Sequence, residues 1–260
     1  MNNTLTNTGS IIIFLMLLVC SAQAQNEPKN YVIRTEIGYT STFLMGLNSA
    51  KYPVLSFPDR NSDPALTGSG FFGAQSGISA RVNYQFGSTQ QYIIPIGIDM
   101  TFYRGFHRLE NRTDISRASV SSNTFSLIAG FQHRIMKLPL AEGFIYGGIE
   151  ATGTYNQAPT FTYNFEEKST GVSTEVSNVT LKEDAFRAGA ALRLGVQGNI
   201  NEPLRINVSC GYGILNLIGR DLRTVSDERR AELLTPNRTQ QTQELFVHYL
   251  QYSFSLQYTF

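Results

Sequence analysis

Few residues in this chain are of a type that does chemistry. There are three histidines, His107, His133 and His248. His107 is followed by Glu110, Asp114, Ser119, Ser121 and Ser122, so a Ser-His-acid group could form if the chain doubles back there. Such a group also needs hydrogen-bond reach and an oxyanion site, which spacing does not supply. Serine is common in loops, and coincidence is the simpler explanation. No Cys/His spacing fits a metal and no glycine-rich loop fits a phosphate, so neither metal nor cofactor is expected. A net charge of +1 without a basic stripe argues against nucleic acid. The remaining chemical resource is a set of charges in segments of alternating polarity: Arg34, Glu36, Arg81, Asp99, Arg134, Glu150, Arg187, Arg193 and Arg205.

The elements that position these residues have a period of two. In the last stretch His248, Leu250, Tyr252, Phe254, Leu256, Tyr258 and Phe260 form one face, and Tyr249, Gln251, Ser253, Ser255, Gln257 and Thr259 the other. This is a strand with one apolar and one polar side. Seven earlier segments repeat the pattern. The eight are placed at about Tyr31–Leu44, Gly70–Gly87, Gln91–Phe106, Ser121–Ile135, Gly143–Asn156, Asp184–Asn199, Pro203–Gly219 and Leu245–Phe260. Only Asp227 to Leu234 could make a helical turn or two. Connections alternate: Gly87 to Gln91, Met136 to Gly143 and Asn199 to Pro203 are short, whereas Met45 to Ser69, His107 to Val120, Gln157 to Glu183 and Arg220 to Glu244 are long. Pro95 removes a ladder donor and predicts a bulge or weak spot.

The two faces decide the solvent. Tyr92, Ile94, Ile96, Ile98, Met100 and Phe102 would share one face with Phe125, Leu127, Ala129 and Phe131, and with Leu204, Ile206, Val208, Cys210, Tyr212 and Ile214. Eight strands of such bulk would overfill an eight-stranded barrel. The other face, with Gly73, Gln75, Gly77, Ser79, Arg81 and Asn83, is small and polar. The expected fold is therefore all-β: an eight-stranded antiparallel up-and-down transmembrane barrel, apolar side out. Tyr31, Phe43, Phe86, Tyr92, Phe106 and Tyr258 are candidates for its interfacial girdles.

On strand count, loop alternation and the aromatic ending Tyr258-Thr259-Phe260, the chain resembles the small eight-stranded bacterial outer-membrane proteins of the OmpA-barrel and OmpX type. The resemblance implies the cell outer membrane as location, lipid and lipopolysaccharide as surroundings, and Tyr258 and Phe260 as a signal for the barrel-assembly machinery. No motif of the lipid A acyl-hydrolase or transferase barrels, or of the outer-membrane proteases, is present.

By the same parity the nine charges point into the lumen. Buried charges of both signs must pair or hydrogen-bond. Glu36 with Arg81, Asp99 with Arg81, and Glu150 with Arg193 are the expected pairs. Arginine exceeds acid in the set, which leaves room for an anion or ordered water. His133 and His248 fall on the lipid-facing parity near strand ends, where they would sit among headgroups.

The N-terminus reads as a targeting segment. Ile11 to Val19 is apolar and Ala22-Gln23-Ala24 fits signal peptidase, which predicts residues 1–24 as signal peptide and 25–260 as the barrel domain. Met1 to Ser10 lacks the Lys or Arg usual there. A lipidated Cys20 is the rival reading, and Val19 fits it poorly. Without Cys20, Cys210 is the lone cysteine.

The expected function is non-enzymatic, structural or binding through the long loops, with a lumen plugged by its polar network. A narrow channel or transporter for small solutes is the alternative. A subunit of an envelope secretion or assembly complex and a lipid-modifying enzyme are further ones.

Overall fold

The computed structural model describes residues 31–56, 65–87, 89–139, 142–180, 182–222, 232–236 and 243–260. The expected signal peptide, Cys20 and most of the possible helical turn after Asp227 lie outside them. Twelve strands follow in order: β1 Tyr31–Met45, β2 Leu55–Ser56, β3 Ala65–Leu66, β4 Gln75–Phe86, β5 Tyr92–Glu110, β6 Asp114–Lys137, β7 Phe144–Asn156, β8 Thr160–Glu167, β9 Ser173–Thr180, β10 Ala185–Asn201, β11 Leu204–Ile218 and β12 His248–Thr259. Eight of them close a ring in the order β1, β4, β5, β6, β7, β10, β11, β12, with every neighbour antiparallel. The closing seam pairs β1 with β12 from Arg34↔Thr259 to Met45↔His248. It has no register shift, so the alternation of both strands is kept in phase.

Parity assigns the faces as the sequence predicts. Ile37, Ile96, Leu127, Ile149, Leu192, Val208 and Phe254 are exposed on the outside, while Glu36, Arg81, Asp99, Thr124, Glu150, Arg193 and Ser255 are buried within. The apolar set faces outward from a closed ring, and a closed ring has no edge to leave unpaired in lipid. Aromatic rings run along the rim that carries the short turns: Tyr31–Tyr84, Tyr84–Phe86, Phe86–Tyr92 and Tyr92–Phe131 have centroids 5.4 to 5.8 Å apart. At the other rim Phe43 packs edge-on against Tyr252. Phe106 lies between exposed Arg104 and Arg108, four residues past Phe102, on an extension of the barrel and not in its girdle.

The structure corrects several expectations. His107 to Val120 is not a long loop. β5 and β6 stay paired to Glu110↔Ile115, and only Asn111 to Thr113 turn. This extension carries Arg, Ser and Glu outward in water, which hides it from a search for apolar alternation. Gln157 to Glu183, expected as a long connection, carries a hairpin: after a break at Gln157 to Pro159, β8 lies on the edge of β6, and β9 pairs only with β8 among the described strands. Of the two forms expected at Pro95, the structure shows the weak spot, without a bulge. The β5–β6 ladder skips Ile94 and Pro95 and resumes at Ile96↔Ala129 in the same register, as the loss of one donor requires.

The interior is also not uniformly small and polar. Ile93, Phe144 and Tyr146 form an apolar cluster at the short-turn end. A larger core lies at the other end, where Leu44, Tyr103, Ala191, Leu215 and Tyr249 of the strands meet Ala50, Val54, Phe71, Leu233 and Leu234 of the loops. The Phe71 and Tyr103 rings are 5.4 Å apart. Gly105 lets the 68–71 segment lie on β5, because a Cβ there would stand 1.8 Å from the Ser69 carbonyl oxygen. Ser69 Oγ donates to the Leu234 carbonyl at 2.6 Å, which ties the two loops together.

Candidate functional site

The nine predicted lumen charges separate into three groups. Glu36, Arg81, Asp99, Glu150 and Arg193 meet in one belt. Each comes from a different strand and points inward by parity, so the ring itself brings them together. Arg81 donates to Asp99 at 3.1 Å and to Glu150 at 2.7 Å. Arg193 Nε reaches the same Glu150 oxygen at 2.8 Å, and Gln132 adds a donor at 3.1 Å. The other Arg193 nitrogens donate to Ser209 Oγ and Gln251 Oε1 at 3.0 and 2.9 Å. All five charged residues are at most 6 % exposed. Buried charge at this density survives only with partners on both sides, and here the partners are present.

Glu36 departs from its expected pairing. It lies opposite Arg81 in the β1–β4 register but forms no ion pair with it. Its carboxylate accepts from Asn83 and Gln257 at 2.8 Å, from Asn207 at 2.9 Å, and from the Ser255 hydroxyl. Tyr146 OH in turn donates to Asn207 Oδ1 at 3.1 Å, joining the belt to the apolar cluster below. Sequence reasoning missed these partners because neutral amides and hydroxyls carry no sign to match. Their inward parity was the signal that could have found them.

Just above the belt, a cavity of about 20 Å³ lies among Thr42, Asp99, Thr101, Tyr103, Thr124 and Gln251. That is room for about one water.

Arg187 stands apart, at the loop end. It is held there by Glu244 at 2.6 Å, which also accepts from Asn216 at 2.7 Å and from the Asp221 amide at 3.1 Å. Arg34, Arg134 and Arg205 form the third group, at the short-turn mouth.

The rim residues do not assemble into a Ser-His-acid group. His107 Nδ1 accepts from the Leu55 amide at 3.3 Å. Ser122 Oγ donates to the Gln157 carbonyl at 2.8 Å. Glu110 pairs with Arg108 and Lys168, each at 2.8 Å, and Asp114 accepts from Thr113 and Asn111. His133 lies tilted against Tyr92 and His248 stacks on Tyr212 on the outer surface, near opposite rims. Among the described residues no cluster of His, Cys, Asp and Glu fits a metal.

Beyond the barrel stands a four-stranded sheet, β5–β6–β8–β9. One face of β8 carries stacked Phe161 and Tyr163 against the loop core. Nearly every residue of β9 is exposed, and its outer edge pairs with no described strand. On the far side of this sheet the edge of β5 is instead met by the folded loop, through Leu55 and His107.

A closed antiparallel ring of eight strands, apolar outside and charged inside, defines a small bacterial outer-membrane β-barrel, and the cell outer membrane is its location. No family model and no curated protein matches the chain. Among solved structures it is similar to Ail, the attachment invasion locus protein of Yersinia pestis, at 14% identity, with 89% of this chain and 100% of that one covered and a TM-score of 0.36. Neisserial surface protein A is similar at 8% identity, with coverage of 89% and 98% and a TM-score of 0.36. The outer membrane protease OmpT from Escherichia coli is similar at 8% identity, with coverage of 91% and 100% and a TM-score of 0.30.

Proposed function

We propose that this protein is a plugged, non-enzymatic barrel that presents its extracellular sheet to a binding partner. In this reading the signal peptide, residues 1–24, is removed on export. Tyr258 and Phe260 of the closing strand address the chain to the barrel-assembly machinery, and lipopolysaccharide surrounds the outer rim. The observation that carries the plug is the belt centred on Glu150. Two guanidiniums converge on one of its oxygens across the lumen, with an apolar core above and a second apolar cluster below. Ions would have to part these contacts to pass.

Binding is assigned to the outside because the exposed edge of β9, which pairs with no described strand, offers its backbone groups to an extended segment of another chain. Loops on a rigid scaffold commonly carry recognition.

Ion conductance of the refolded protein in a planar bilayer tests the plug. The wild type is expected to be silent. Arg81→Ala, which removes two ion pairs, is expected to give at most brief openings. Steady conductance of the wild type that changes in Arg81→Ala would make the lumen the functional path and overturn this reading.

A further inference from the structure

Short turns mark the periplasmic end of an outer-membrane barrel, and the three arginines at that mouth have no role in the belt. Arg34 on β1, Arg134 on β6 and Arg205 on β11 all point inward within a few residues of the short-turn end. One strand separates β1 from β11 in the ring, and two separate β6 from each of them on either side. Side chains spaced in this way converge on the barrel axis. They are close enough for the Arg205 charge to act on both Arg34 and Arg134.

None of the three makes an ion pair among the described residues. Arg34 Nε donates to Thr259 Oγ1 at 3.0 Å, while its NH1 is buried with no acceptor. Arg34 is only 3 % exposed. Arg134 donates to Gln85 Oε1 at 2.8 Å and to the Thr89 carbonyl at 3.1 Å, and its Nε too is buried without an acceptor. Its guanidinium lies 3.8 Å over the Phe144 ring, which closes the lumen above it. The acids that act on Arg205 are Glu142 and Glu202, both exposed on the turns, and Glu142 is engaged by Asn199 at 2.8 Å. Three like charges with unfilled donors in a narrow mouth are costly unless an anion joins them. Guanidinium forks suit the several acceptor oxygens of a phosphate.

We propose that Arg34, Arg134 and Arg205 form a binding site for one phosphate group entering from the periplasm. Because Arg34 is buried, the group must sit inside the mouth. That favours inorganic phosphate or the end of a phosphate monoester over a phospholipid headgroup, whose chains remain in the bilayer. The site is independent of any extracellular partner.

The test is calorimetric titration of the whole protein, in a nonionic detergent, with inorganic phosphate. One saturable site per chain is expected. It should weaken at least tenfold in Arg205→Gln and in Arg134→Gln, and be unchanged in Arg108→Gln on the extracellular extension. Arg205→Gln is the decisive variant, because Arg205 donates no side-chain hydrogen bond to a described residue, so the substitution breaks none there. Retained strand circular dichroism confirms folding. Glycerol phosphate is expected to compete and phosphatidylglycerol in mixed micelles not to; competition by both keeps the phosphate site and makes the headgroup a second source. Absence of saturable phosphate binding, or equal affinity in Arg205→Gln, would overturn the proposal.

Discussion

The membrane section and the extracellular extension share strands but reverse their polarity. Along β6, Phe125, Leu127 and Phe131 point outward and Thr124, Gln132 and Arg134 inward. A few residues nearer the tip, Ala118 and Val120, on the inward parity, are buried in the apolar core, and Arg117 and Ser119 lie on the outer side. The backbone is continuous and the period of two is unbroken. What changes is the solvent outside. Lipid selects apolar side chains for the outer face and leaves the lumen to polar ones, whereas water above the bilayer restores the ordinary arrangement. The two interiors are therefore held by different forces. The lower one depends on charge-assisted hydrogen bonds around Glu150, and the upper one on apolar packing around Phe71 and Tyr103.

This contrast can be broken most severely at the belt. Glu150→Ala leaves the buried Arg193 without its ion pair and Arg81 with Asp99 alone, and is expected to lower unfolding free energy in urea by about 3–5 kcal/mol. A loss below about 1 kcal/mol would mean that water reaches the belt freely.

The outer face gives a smaller and more discriminating effect. Leu127→Arg, near the middle of the apolar band, should cost about 2–4 kcal/mol in lipid-refolded protein. Phe106→Arg, an equally outward substitution on the extension, should change stability by less than about 0.5 kcal/mol. Equal costs would move the bilayer boundary past Phe106.

The smallest effect lies at the tip. A hydrogen bond from Lys168, its charge and that of Arg108 hold the Glu110 carboxyl below the usual carboxylate range. The group therefore adds stability above its unfolded value and loses it as pH falls through the lower, folded one. An NMR titration of Glu110 should show the depressed midpoint, and Lys168→Met should raise it.

Much of the membrane section was legible in the sequence. The alternation at Tyr92 to Phe102, Phe125 to Phe131 and Tyr252 to Phe260 fixes the strands and their faces, and parity with strand adjacency places Arg81 with Asp99 and Arg193 with Glu150, though it also suggests the Glu36–Arg81 pair that does not form. Three things were hidden. The tips of β5 and β6 alternate polar against small residues, so Arg108, Arg117 and Ser119 read as a loop. The partner of Arg187 is Glu244, on a segment with no period at all. Tyr103, Phe144 and Tyr146 have the inward parity, yet sorting the faces by bulk treated the interior as one environment. Depth along the barrel divides it into three, and parity carries no depth.

The reversal itself can be measured by fluorescence quenching with brominated lipids, using single cysteines along β6 labelled with a small fluorophore in a Cys210→Ser background. Positions 125, 127, 129 and 131 should be quenched strongly, the intervening 126, 128 and 130 weakly, and positions 116 to 120 not at all on either parity. Quenching that continued with a period of two through 117 and 119 would place the extension in lipid and contradict the two-environment barrel.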